Sequence, residues 1–360
     1  MSSSNETHLS GAFELRSARP HARTWALAVL LAVAFLVVPF IGDDYWFSAI
    51  LIPLLVLSLV GLGLNLLTGY AGQLSLGSAA FMAAGAFATY NFELRIPGLP
   101  LLASVALGGL VAALIGVGFG LPSLRIKGFY LIVSTLAAQF FIQWALTKFG
   151  WFSNDNPSGV ISAPPLVILG QDLSNPVGRY LLTLTIVTFL TWVAWNLVRS
   201  PTGRSWMAIR DMDTAAAVIG IPIFKSKLLA FAISSFYCGV AGSLWAFAYL
   251  GTVEPHGLDL NRSFQVLFIV IIGGIGSIAG SFLGAIFIVL LPIALDHVAR
   301  AFLVGIVDPS NTENLQKIAM GSLILWFLVK EPEGLARLIE VGFEKLRKRL
   351  SRRFVPAVSN

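Results

Sequence analysis

Charge is what this sequence has least of. Of its 360 residues only 12% are Asp, Glu, Lys or Arg, against about a quarter in a typical soluble domain. Residues 25–42, 46–92 and 96–124 contain none of the four. A helix crossing a bilayer needs about 20 mostly apolar residues, and several of these runs are longer, so a water-soluble domain is excluded. Cysteine is nearly absent as well: Cys238 stands alone, which rules out an internal disulfide and a cysteine-built metal cluster. The cores of the apolar runs hold no acidic residue, and the basic residues Lys317 and Lys330 sit at the ends of the last run. Proton- or sodium-coupled transporters rely on such intramembrane charges. His8, His21, His256 and His297 all fall in a tail or in expected loops. No catalytic triad, phosphate-binding glycine loop or metal-ligand spacing occurs, and the G-x-x-G at Gly273 and Gly276 lies inside an apolar run, where a nucleotide reading has no support. The chain does not read as an enzyme, and any energy source must sit elsewhere.

What is present is a set of apolar runs, near 25–42, 47–67, 78–92, 99–123, 128–147, 180–198, 228–250, 263–275, 279–295 and 316–330. They predict an all-α, polytopic membrane protein of about ten spans, with eight to ten as the range. Arg16, Arg19 and Arg23 precede the first run as in a signal peptide, but no small-x-small cleavage site follows, so a retained helix is expected. With the N-terminus in the cytoplasm and ten spans, 18 of the 24 basic residues fall on the cytoplasmic side. Arg95, Lys148, Arg179, Arg262, Arg300 and Lys317 fall opposite. That asymmetry follows the positive-inside bias and puts both termini in the cytoplasm. The net charge of +6 is thereby spent on orientation, and nucleic acid is not an expected partner. The organisation expected is a tail over 1–24, one transmembrane domain over 25–330, and a basic tail over 331–360. In that tail Leu335, Leu338, Ile339, Phe343, Leu346 and Leu350 recur at helical spacing, as in a helix lying on a membrane surface.

Small residues recur every fourth position at Gly108-Ala112-Gly116-Gly120, Ser234-Cys238-Gly242-Ala246 and Gly276-Gly280-Gly284. In lipid such stripes let helices approach closely, so they predict packing faces, and Cys238 is read as a small packing residue. The neutral polar residues within the runs include Asn65, Gln139, Gln143 and Gln265.

Three segments break the pattern. Gly69-Tyr-Ala-Gly72-Gln73-Leu-Ser75-Leu-Gly77 is uncharged and glycine-rich between two apolar runs, and Ile272-Gly273-Gly274-Ile275-Gly276-Ser277 interrupts the late run. Paired interruptions of this kind point either to a translocation path or to tight interhelical turns. The stretch 148–178, rich in turn residues, is the longest loop on the outer side and reads as a docking surface or a linker. The third segment is 200–227, a basic cytoplasmic loop. Here Asp213 can cap a short helix over 214–219, with Gly220 as its stop. A helix that short is marginal alone and would gain stability by seating in a groove on a partner.

Together these segments resemble the LivM-type permease subunit of branched-chain amino acid (hydrophobic amino acid uptake) ABC importers. The resemblance rests on Gly61-Leu-Gly-Leu-Asn65 through Gly77, on Gly203-Arg204 through Ala208-Ile-Arg210 with Ala215-Ala216 and Gly220-Ile221, on Gly273-Gly-Ile-Gly-Ser277 through Gly280 and Gly284, and on Glu331-Pro-Glu-Gly334-Leu335. It covers residues 50 to 335 in the family's order. It implies a type II ABC importer-like fold in the bacterial inner membrane. It also implies a second, similar permease, two ATPase subunits that carry ATP and Mg, and an external binding protein that delivers the solute, with no cofactor on this chain. Arg204, Ala208, Arg210, Asp213, Ala215, Ala216 and Gly220 would form the coupling contact with the ATPase. Asn65, Gly69, Gly72, Gln73, Ser75, Gly77, Gly273, Gly274 and Gly276 would belong to the broken helices and the path. The outer loop departs from the family at Ser153-Asn-Asp-Asn-Pro-Ser-Gly159, which leaves branched-chain amino acids, other amino acids, and urea or short amides open as solutes. An ion-coupled secondary transporter is the alternative from another class.

Overall fold

The computed structural model describes residues 29–123, 130–156, 159–164, 166–168 and 171–303, and, toward the C-terminus, residues 318, 321–322, 324–326, 329–330, 334–339 and 341. Its helices, in chain order, are α1 Val29–Ile41, α2 Trp46–Tyr70, α3 Ser78–Arg95, α4 Leu101–Ser123, α5 Tyr130–Lys148, α6 Pro176–Arg199, α7 Pro201–Asp211, α8 Asp213–Val218, α9 Ile223–Leu250, α10 Leu260–Gly273 and α11 Ile278–Leu303. Residues 1–44 and 45–360 are separate compact units. Helix α1, in the first, exposes Leu36, Phe40 and Ile41.

Among the described residues, six helices are long and apolar enough to cross a membrane, namely α2, α4, α6, α9, the 131–148 part of α5 and the 278–297 part of α11. The shorter α1, α3 and α10 occupy three more of the ten expected positions, and the tenth, near 316–330, lies mostly outside the described residues. Within the second unit, α9 packs against α3 and α4 on one side, and α2 packs against α10 and α11 on the other. The two groups join where α2 meets α9. Around this centre Leu110, Leu114, Phe140, Trp144, Phe189 and Trp192 point outward and are exposed, a surface suited to hydrocarbon rather than water.

The small-residue stripes are the contact faces between these helices. A Cβ on Gly242 would overlap the backbone of Met82 in α3, and one on Gly116 would overlap the Ser235 side chain in α9. Ala112 sits against Gly239, and the late stripe packs Gly280 and Gly284 onto the backbone of α10 at Gly273 and Ile269. Cys238 is 1% exposed within this packing. Polar side chains inside the bundle are tied to one another, as hydrocarbon surroundings demand. Gln139 Oε1 accepts from the Ala80 amide at 2.7 Å and from Ser263 Oγ at 3.1 Å, while its Nε2 donates to the Leu258 carbonyl at 3.0 Å. Gln139 is therefore a clamp joining α3, α5 and α10.

The helices outrun their expected bounds and change two inferences. Helices α3 and α11 take in Glu93 and Asp296, which the charge-free runs left outside. Arg262, expected in an outer loop, lies in the first turn of α10, where Asp259 Oδ1 caps the helix by accepting from the Arg262 amide at 3.2 Å. The stretch 148–178, expected on the outer side, contributes a ribbon: strand β1 (Ile161–Ser162) pairs antiparallel with Thr252–Val253. The expected tail helix is described over residues 334–339 and 341, which are helical; Phe343, Leu346 and Leu350 lie outside the described residues.

Candidate functional site

The two glycine-rich breaks lie side by side at one end of the bundle, one linking α2 to α3 and the other linking α10 to α11. Asn65, fully buried near the end of α2, holds them together. Its Nδ2 donates to the Ser277 carbonyl at 2.8 Å and to Ser281 Oγ at 3.0 Å, and its Oδ1 accepts from the Gly276 amide at 2.8 Å. The backbone at Gly276 has φ +79° and that at Gly274 has φ +119°, conformations that L side chains rarely adopt. Gly69 lies against both Asn65 Oδ1 and the Gly276 amide, and a Cβ there would overlap each.

The last turn of α2 is wide, with the Ala71 amide bonding back to the Leu66 carbonyl at 3.3 Å. Carbonyls at a helix C-terminus lack intrahelical donors. That of Gly69 receives the Arg210 Nη1 at 2.8 Å, and a cation at that end also complements the helix dipole. Gly72, at φ +68°, leaves room for Arg210, whose Cγ would stand 2.9 Å from a Cβ placed there. Arg210 also pairs with Asp211 at 2.9 Å. A second tie runs from Gln73 Nε2 to the Lys227 carbonyl at 3.2 Å. Loop 200–227 thus grips the first break at two points, Arg210 within it and Lys227 at its end.

The loop itself is largely helix. The sequence led us to expect only the short helix after Asp213, yet α7 precedes it, with Ser200 Oγ accepting from the Gly203 amide at 3.4 Å and Pro201 in the first turn. Gly203, Trp206 and Ile209 form its buried face. Trp206 is fully buried, and its Nε1 donates to the Ser226 carbonyl at 2.9 Å, closing the loop on itself. Helix α8 ends at Gly220 (φ +84°), where the Ile221 amide bonds to the Ala216 carbonyl and the Gly220 amide to that of Ala217, both at 3.0 Å.

Several residues assigned to the coupling contact stand differently from expectation. Asp213 forms the first residue of α8, whose N-cap has no side-chain hydrogen bond, so its capping role is not realised. Ala216 faces inward at 2% exposure, and Ala208 is half-buried. Arg204 donates to the Arg199 carbonyl at 3.1 Å, at the end of α6, and Arg210 turns onto the permease instead of outward. The outward face is Ala215 with Met212, Val218 and Ile219, the last three exposed by 61%, 87% and 72%. A six-residue helix is too short for its apolar period to show which side faces out, so the sequence could not distinguish these faces. Ser75 and Gly77 lie away from the Asn65 clasp, where the Leu76 amide meets Thr135 Oγ1 at 3.1 Å. Gly334, from the late motif, packs on Gly274: a Cβ on it would stand 2.5 Å from the Gly274 Cα.

Four stretches scattered along the chain thus meet at one end of the bundle. Residues 46–328 match the family described as branched-chain amino acid transport system / permease component. The chain belongs to this permease family. It is 30% identical over 300 residues to the high-affinity branched-chain amino acid transport system permease protein LivM of Salmonella typhimurium strain LT2, covering 77% of this chain and 67% of that protein, and equally so to the LivM of Escherichia coli strain K12. It is 28% identical over 244 residues to the autoinducer 2 import system permease protein LsrC of Enterobacter sp. strain 638, covering 65% of this chain and 66% of that one. No solved structure matches. The chain is a multi-pass membrane permease.

Proposed function

We propose that this chain is a membrane-spanning subunit of an ATP-binding-cassette importer for branched-chain amino acids, with loop 200–227 as its contact to the ATPase. The observation that carries this reading is the bond from Arg210 to the Gly69 carbonyl. It joins the loop to both helix-linking turns, so a push on α8 reaches the ends of α2, α3, α10 and α11. The apolar residues Met212, Val218 and Ile219, exposed beside Ala215, form the small protruding surface that a groove in another protein would cover. Because residues 200–227 face the ATPase in this reading, that end of the bundle is cytoplasmic, both termini are cytoplasmic, and 148–178 faces an external binding protein. A second permease of similar kind completes the path, and ATP and Mg are held by the ATPase subunits. The relatives' names support branched-chain amino acids over urea or short amides.

Cysteine cross-linking tests the contact. The chain's own Cys238 is buried, so an added cysteine gives a clean signal. Ile219→Cys should cross-link to the ATPase through a short bifunctional reagent, and Ala216→Cys should not. Cross-linking at neither Ile219 nor Val218 in an assembled complex would reject this contact.

A further inference from the structure

At the end of the bundle opposite Arg210, beside the β1 ribbon, lies a cavity of about 590 Å³ between α2, α9, α10 and α11. None of the glycine-break residues line it. Its wall includes one cation, Arg262, whose guanidinium lies 4.5 Å from the centre of the Trp245 ring and donates from Nη1 to Gln265 Oε1. Among the described residues no carboxylate lies within 4 Å of that guanidinium. An ionisable group facing a cavity within a membrane bundle is expensive to keep and marks a solute or ion pathway by default. The ring face and the glutamine amide fix the orientation of the guanidinium, Asp259 contributes a favourable charge from beyond ion-pair distance, and the guanidinium's remaining donors suit a carboxylate. The lining also includes the aliphatic side chains of Leu57, Ile288 and Val289 and the exposed Glu254.

We propose that this cavity receives the amino acid on its way into the membrane. Arg262 takes the α-carboxylate, the aliphatic part of the lining takes the branched side chain, and Glu254 attracts the ammonium. This rests on the amino acid importer reading above and adds to it a solute site within the permease. The cavity holds an amino acid of leucine's size with room for water, consistent with a transient stop rather than a tight site.

The test uses the assembled complex without its binding protein. A Val289→Cys chain is labelled with a methanethiosulfonate reagent, and the label is read on this chain after electrophoretic separation; the buried Cys238 stays silent. Leucine at about ten times its dissociation constant should slow labelling by about tenfold. Isoamylamine, which has the same side chain and ammonium but no carboxylate, should not. Protection should disappear in Val289→Cys/Arg262→Gln and persist in part in Val289→Cys/Arg262→Lys. Equal protection by isoamylamine, or no protection by leucine, overturns the site, and both are read in the Arg262 background even if Arg262→Gln fails to assemble. ATP-driven leucine uptake alongside absent protection would reject this site alone; absent ATP-driven uptake would reject the importer reading on which it rests.

Discussion

Replacing Arg210 with glutamine isolates the link between the loop and the turns. Arg210 is 37% exposed and its partner Asp211 is 67% exposed, so the ion pair between them contributes about 0–1 kcal/mol. The bond to the Gly69 carbonyl is charge-assisted and partly buried, at 2.8 Å. Such bonds contribute about 1.5–3 kcal/mol, and solvent access to the guanidinium places this one toward the lower end. Glutamine is too short to reach the carbonyl, and water can replace the lost donor at this part-exposed site. The bundle should therefore stay folded, and α8 should keep its outward face, because Ala215, Val218 and Ile219 are solvent-exposed. What is lost is about 1.5 kcal/mol of mechanical coupling, or roughly a tenfold fall in solute moved per ATP hydrolysed. The assay is reconstituted uptake and ATP hydrolysis measured on the same vesicles, with ATPase co-purification as the assembly control. Asp211→Asn, which removes only the exposed pair, should change the ratio less than about threefold. A normal transport-to-hydrolysis ratio in Arg210→Gln would refute the claim that this bond carries the coupling.

Other consequences follow from the packing. Gly69→Ala places a methyl on Asn65 Oδ1 and the Gly276 amide, and the combined overlap and lost bond should cost roughly 2–5 kcal/mol, seen as a lower melting temperature in detergent. Val218→Glu should abolish ATPase co-purification while leaving insertion intact, whereas Ala216→Glu, buried at 2% exposure, should lower the stability of the loop itself, read by protease sensitivity between 200 and 227. Trp206→Ala removes a fully buried ring and its bond to Ser226, which should cost about 3–5 kcal/mol and open the same loop to protease.

The membrane architecture was legible because it depends on a one-dimensional property, the absence of charge over runs long enough to span. The glycine stripes were legible for a related reason: a fourfold repeat of small residues has meaning only where helices touch. Gly220 showed as a helix stop because a left-handed residue there requires glycine. Other features needed three dimensions. Arg210 reads as a solvated loop cation, and only the fold brings the unpaired Gly69 carbonyl to it. Asn65 reads as one more neutral polar residue, and its three bonds reach residues more than 200 positions away. Helix α7 carries a local signal in Ser200-Pro201, the pairing of an N-cap with a proline in the first turn. Arg262 reads as a loop residue because the charge-free run begins only after it, whereas Asp259 starts the helix one turn earlier.

The central claim, that this permease works as part of an ATP-driven importer, is tested most directly by its energy source. Inverted or reconstituted vesicles holding the complete complex and loaded binding protein should import leucine when ATP is supplied and the proton gradient is collapsed by an ionophore, and import should stop when ATP is withdrawn. Import in energised vesicles without nucleotide would contradict the account and make the chain an ion-coupled transporter.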